Sequence, residues 1–153
     1  MSTKAPLWGK YTWYLFHWLA ENIKEEYFQQ EREELLSIIK KITYNIPCPS
    51  CQAHAKEYLK RIPIDRIQTK DHLRRYLLIF HNMVSKRGRK PTYDIKILDQ
   101  YKKMNPNILL NDWLKVFTAG NHVRQDNFML KGNIQRIKNE TLLYIKNNYS
   151  KFV

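Results

Sequence analysis

Apolar residues in this chain recur at spacings of three and four, segment after segment, and prolines separate the segments. That spacing places them on one face of a helix, and no segment shows the alternation of a half-buried strand. The chain is therefore expected to be all-α. A first helix is expected from Leu7 to about Phe28, with Trp13, Phe16, His17 and Ala20 on one face. A second is expected from about Glu31 to Tyr44, where Leu35, Ile38, Ile39 and Ile42 form the stripe. Lys40 and Lys41 suit its negative C-terminal end, and Pro47 breaks the pattern. A third helix begins inside Cys48-Pro49-Ser50-Cys51, because a proline in the first turn sacrifices no hydrogen bond, and it runs to Pro63. A fourth begins near Thr69 or Asp71, either of which can cap it. It buries Tyr76, Leu77, Phe80, His81 and Val84 and decays into the basic run 85–90. A short helix from Asp94 to about Met104 follows. Beyond the boundary Asn105-Pro106-Asn107, a short helix is expected over Ile108–Phe117 and a basic amphipathic helix over Ile134–Tyr149, with a loop over Thr118–Asp126 between them. The expected architecture is a four-helix bundle plus a short fifth helix over residues 1–104, and a helical C-terminal extension over 105–153.

At 153 residues the chain is one domain, or one domain with an appendage. Its four glycines are scattered, which excludes a Gly-rich dinucleotide loop and a Walker loop. No apolar run approaches the roughly 20 residues of a membrane span, and the N-terminus lacks the long apolar segment of a secretory signal. The net charge of +13 favours acidic or phosphorylated partners.

The two cysteines sit in one motif, Cys48-Pro49-Ser50-Cys51. Such a pair closes too small a loop to staple a fold. It has three chemical settings: zinc ligation with further ligands such as His17, His54, His72 or His81; a thioredoxin-type motif, which needs a strand before it; or a redox disulfide in a helical protein. An incidental pair of thiols is the plain alternative. The physics favours a reactive pair, because free N–H groups and the dipole at a helix start stabilise a thiolate. Cys48 would then meet an incoming thiol, and Cys51, one turn further in, would face the interior. No third cysteine can take the electrons on, so a bound cofactor is the simplest next carrier.

Three separated motifs resemble one family. Trp8-Gly9-Lys10-Tyr11-Thr12-Trp13-Tyr14-Leu15-Phe16-His17 resembles the W-G-x-x-x-W-x-x-x-H opening of the Erv/ALR FAD-linked sulfhydryl oxidases. Pro47-Cys48-Pro49-Ser50-Cys51-Gln52-Ala53-His54 resembles their redox motif, above all the C-x-x-C-x-x-H of short viral members. His81-Asn82-Met83-Val84-Ser85, followed by Lys90-Pro91-Thr92-Tyr93, resembles H-N-x-V-N…K-P-x-F. The resemblance implies a helical bundle that holds FAD, oxidises dithiols to disulfides and passes the electrons to O2, giving hydrogen peroxide. It implies dithiol protein substrates or a separate thiol shuttle protein, and a homodimer. Carried over position by position, Cys48 exchanges with substrate and Cys51 makes the charge-transfer contact with the isoalloxazine ring. Gly9, Trp13, His17 and His54 belong to the cofactor site by their motifs. His81, Asn82, Val84 and Ser85 line it from the fourth helix. Lys10, Lys90 and Arg87 answer the pyrophosphate charge, Tyr93 stacks on the adenine, and Tyr101 is a second ring within reach.

Two departures stand out. Ser85 occupies a place the family usually gives to Asn, and its shorter side chain loses or water-bridges a cofactor hydrogen bond. Ile95 stands near where some cellular members carry a structural cysteine. With no second CxxC, substrate must reach Cys48 directly or through another thiol protein, an inventory that looks viral and fits a host cytoplasm or a virion. The alternatives are a basic nucleic-acid-binding module, resting on the charge and on Lys131, Arg136, Lys138 and Lys146, and a zinc module. No nucleic-acid reader motif is present, so a specific nucleic-acid partner is not expected, nor is a metal.

Overall fold

The computed structural model describes residues 6–118 and 128–153. Among them seven α-helices and three short 3-10 turns appear and no strand. The helices are α1 (Leu7–Asn22), α2 (Glu25–Tyr44), α3 (Pro49–Arg61), α4 (Lys70–Arg87), α5 (Leu98–Lys102), α6 (Pro106–Val116) and α7 (Phe128–Asn147). The all-α expectation holds.

Helix α1 is the hub. Every residue from Leu15 to Glu21 is buried, so the second half of this helix is covered all round rather than along one stripe. It packs against α4, α5 and α6, while α2 packs against α3 and α7. The helix starts follow local chemistry. Thr69 Oγ1 accepts the His72 N–H at 3.0 Å to cap α4. Asn105 Oδ1 accepts from Asn107 and Ile108 at 2.9 and 3.2 Å to cap α6, with Pro106 in the first turn.

Three features differ from the sequence reading. The long first helix is two, parted at Ile23 and Lys24, whose backbones are extended. The Lys24 N–H is held by the Lys151 carbonyl at 2.9 Å, a bond across the whole chain that no local pattern encodes. Glu25 and Glu26 therefore open α2, where their charge suits the dipole. Val84 does not join the buried face of α4: it is 45% exposed, and Ser85 is buried at 8%. Helical spacing explains it, since Leu77, His81 and Ser85 follow one another at intervals of four. The last helix starts earlier, at Phe128. The loop expected over 118–126 lies outside the described residues apart from Thr118.

The C-terminal helices share the apolar core of the bundle. Trp113 and Phe117 are fully buried and stacked at 4.8 Å. Trp113 Nε1 donates to Thr12 Oγ1 at 3.1 Å, and Thr12 donates in turn to the Trp8 carbonyl at 2.5 Å. Trp18 stacks on Phe152 at 5.6 Å. Buried Glu31 is held by Tyr144 Oη at 3.1 Å and Lys151 Nζ at 2.8 Å, so its charge is compensated from the far end of the chain. Burial, with Glu31 alongside, pushes the Tyr144 hydroxyl far above its ordinary pKa. Among the described residues no helix is long and apolar enough to cross a membrane.

Candidate active site

The site begins where α2 ends. The connector 45–48 is tied down by Gln52 Nε2, which donates to the Ile46 carbonyl at 2.8 Å. Cys48 is the N-cap of α3 and Pro49 its first residue, as the sequence predicts. Cys48 and Cys51 form a disulfide with Cα atoms 5.2 Å apart. The Cys51 N–H donates to Cys48 Sγ at 3.3 Å, so the sulfur does the work an Asp or Ser oxygen does at other helix starts. Both cysteines are partly exposed, and Cys51 packs against the core.

A stack of rings stands between α1, α4 and α5. Trp13 lies flat on His81, with centroids 4.4 Å apart and planes at 7°, and His17 stacks on Tyr101 at 4.4 Å and 18°. Tyr93 tilts against His81 at 5.1 Å. His17 Nε2 and His81 Nδ1 are 3.0 Å apart and share one proton. Burial, and then the neighbouring His81, lower the His17 pKa to about 3. Burial lowers that of His81 to about 4. Both rings are therefore neutral at neutral pH. His17 Nδ1 is buried with no hydrogen-bond partner among the described residues. The tautomer with the proton on His17 Nε2 leaves a bare lone pair there, which costs less than an orphaned N–H. Burial, with Tyr93 and Tyr14 near, pushes the Tyr101 hydroxyl up to about 12.

The remaining residues form a rim. Asn82 is a clamp: its Nδ2 donates to the Tyr93 carbonyl at 2.9 Å and its Oδ1 accepts the Tyr93 N–H at 2.8 Å. It thus holds the 88–94 loop so that Tyr93 lies on His81. The Ser85 carbonyl accepts the Lys90 N–H at 2.8 Å, closing the turn, in which Arg89 takes the left-handed conformation (φ 56°). Arg87 Nη2 donates to His54 Nε2 at 2.8 Å, joining the end of α4 to α3. Lys10 is exposed, its Nζ 5.7 Å from the Tyr14 ring centre. Lys90 is exposed too. A Cβ on Gly9 would meet only Pro6 Cγ, at an ordinary 3.9 Å, so packing within the chain does not require glycine there.

The fold thus gathers Trp13, His17, His81, Tyr93 and Tyr101 into one cluster, with Asn82 behind it, and sets His54 beside Arg87. Three participants were missed from the sequence. Phe80 carries packing from Trp13 (5.1 Å) to Tyr58 of α3 (4.5 Å), the helix that starts at the disulfide. Thr12 ties α6 to the opening of α1. Ser50 touches the Cys48 sulfur at 3.4 Å. For Phe80 the signal is its place on the buried face of the fourth helix, and for Thr12 its place inside the opening motif; nothing in the sequence sets Ser50 apart from its motif. Among the described residues no three His, Cys, Asp or Glu side chains gather as a metal site.

An all-helical bundle with a partly exposed CxxC disulfide capping one helix, and stacked aromatic and imidazole rings among its neighbours, is the frame of a thiol–disulfide exchange protein. Residues 10–105 match the model of the Erv1/Alr family, and the chain belongs to that family. A protein of Invertebrate iridescent virus 3 that carries a provisional FAD-linked sulfhydryl oxidase name is 31% identical over 101 residues, covering 65% of this chain and 68% of its own. The FAD-linked sulfhydryl oxidase of African swine fever virus is 28% identical over 106 residues, covering 68% of this chain and 84% of its own. The FAD-linked sulfhydryl oxidase ERV1 of rice (Oryza sativa subsp. japonica) is 30% identical over 96 residues, 60% of this chain and 49% of its own, so the chain spans about half of that relative's length. No solved structure gives a significant match.

Proposed function

We propose that this chain is an FAD-dependent thiol oxidase that forms disulfides in dithiol proteins through Cys48 and Cys51. The observation that carries the reading is an isolated disulfide at a helix start in a chain with no other cysteine to pass electrons to. Family membership and the names of the relatives support FAD as the carrier.

The residues present fit such a cofactor. His17 Nδ1 is a buried polar atom with no hydrogen-bond partner among the described residues. Trp13, His81, Tyr93 and Tyr101 present rings for stacking. Lys10, Arg87 and Lys90 are exposed cations suited to a pyrophosphate. Beside Gly9, only Pro6 Cγ among the described residues comes within ordinary contact of an added Cβ. Asn82 acts by fixing Tyr93, and Val84, Ser85 and His54 complete the rim. FAD, when bound, supplies a two-electron acceptor for the cysteine pair and hands the electrons to O2.

The chain's own part is exchange. A substrate thiolate attacks Cys48 Sγ and the Cys48–Cys51 bond breaks, with the electron pair going to Cys51. A second substrate thiolate attacks the substrate sulfur of the mixed disulfide and expels Cys48. The free N–H groups and dipole at the start of α3 favour both thiolates. His17 and His81 stay neutral, so the ring cluster adds no charge. Residues 1–104 carry this chemistry and 105–153 brace it. Dioxygen as final acceptor, work in a host cytoplasm or virion, and association into a homodimer to which 105–153 contributes contacts complete the proposal.

The test is direct. Purified protein is expected to be yellow, to release FAD on denaturation, and to consume oxygen when given a dithiol. Cys51→Ser is expected to stay yellow and lose dithiol-dependent peroxide production by at least about 100-fold. Full turnover by that variant would refute the mechanism.

A further inference from the structure

The serine between the two cysteines faces the sulfur that meets substrate. Ser50 Oγ is 3.4 Å from Cys48 Sγ. A disulfide sulfur carries no hydrogen, so the hydroxyl is the donor. The same sulfur already accepts the Cys51 backbone N–H at 3.3 Å. Ser50 is exposed in the first turn of α3, so its hydroxyl is not engaged in core packing and is free to turn toward the sulfur. We propose that Ser50 is a catalytic residue whose O–H stabilises Cys48 as a thiolate and so makes it the better leaving group when the mixed disulfide is resolved. The proposal rests on the thiol-oxidase reading and deepens it.

The electron count places the effect. In the first exchange, one substrate thiolate bonds to Cys48 Sγ and the sulfur–sulfur pair departs to Cys51. In the second, the other substrate thiolate bonds to the first substrate sulfur, and the electron pair of the substrate–Cys48 bond departs to Cys48. The two protons of the substrate thiols go to solvent. Substrate has lost two electrons, and the Cys48–Cys51 pair has gained them. Negative charge appears on Cys48 only in the second exchange. A donor aimed at that atom is a weak partner for a disulfide sulfur and a strong, charge-assisted one for a thiolate. Its stabilisation is therefore greatest as the bond to Cys48 breaks, where it lowers the barrier. The helix dipole acts on every group near the start of α3, whereas the Ser50 hydroxyl reaches the Cys48 sulfur itself.

The experiment uses the full chain with Cys51→Ala, which leaves Cys48 as the sole thiol and keeps the residue-51 N–H. Its alkylation rate with iodoacetamide is followed from acid to alkaline pH, and far-ultraviolet circular dichroism confirms the helices. Adding Ser50→Ala is expected to move the half-maximal rate upward by about one pH unit. Ser50→Thr, which keeps a hydroxyl, is expected to leave it near the parent. Ser50→Gly repeats the removal should the alanine variant misfold. An unchanged midpoint on loss of the hydroxyl overturns the proposal, as does an equal upward shift in the threonine variant. Oxygen uptake by the unaltered chain with dithiothreitol is measured alongside. A shifted midpoint with no uptake defeats the oxidase reading, and an unshifted midpoint with normal uptake defeats the role of Ser50 alone.

Discussion

Residues 10–105 match a family model, whereas residues 106–153 lie outside the match, yet both halves bury side chains in the same apolar core. The matched stretch keeps its chemistry at the edge. Its cysteines are partly exposed, and Tyr93 is 43% exposed over a pair of neutral histidines. The unmatched stretch contributes mass: Trp113 and Phe117 at 0% exposure, then Ile134, Ile137, Tyr144 and Phe152. The difference teaches that a reactive rim needs a rigid back. Helix α1 carries Trp13 and His17 on the side toward α4 and α5, and its opposite side is sealed by α6.

This division predicts where stability resides. Trp113→Ala removes a fully buried indole and leaves Thr12 without its donor, so it is expected to cost about 4 kcal/mol in chemical denaturation. Tyr93→Ala, at a half-open ring, is expected to cost less than about 1 kcal/mol while weakening FAD retention. If Trp113→Ala is as mild as Tyr93→Ala, the C-terminal helices are an appendage and the comparison fails.

The smaller effect concerns acid. His17 and His81 bind protons in the folded state only near pH 3 and 4, while the unfolded chain binds them near 6.5. Between about pH 6.5 and 4 the unfolded state holds more protons, so stability rises with pH and is lost on acidification. Each histidine contributes a slope of at most about 1.4 kcal/mol per pH unit. Denaturation midpoints across this range are expected to fall less steeply in His81→Gln than in the parent. Equal slopes would place the acid sensitivity outside the ring cluster.

Much of this was legible beforehand. The start of α3 followed from Pro49, the cap of α4 from Thr69, and Trp13, His17, His81 and Tyr93 of the ring cluster from two motifs in register. What escaped depends on partners far along the chain. The break at Ile23 and Lys24 is held by Lys151, and the His17–His81 bond joins residues 64 apart. The spacing of α1 gave one face, yet Leu15 to Glu21 are covered on every side because other helices return to them, and local periodicity cannot announce a distant cover. The pairing of the Asn82 amide with the backbone of Tyr93 is likewise absent from the motif that names Asn82. That pairing depends on how the 88–94 loop folds back.

The central claim is that electrons leave substrate thiols through Cys48 and Cys51 for the bound flavin. Anaerobic titration of the yellow protein with a dithiol, followed by visible absorbance, tests it most directly. The account predicts that one equivalent bleaches the unaltered chain and leaves Cys51→Ser coloured. Bleaching of both at the same rate would mean that electrons bypass the disulfide, and would contradict it.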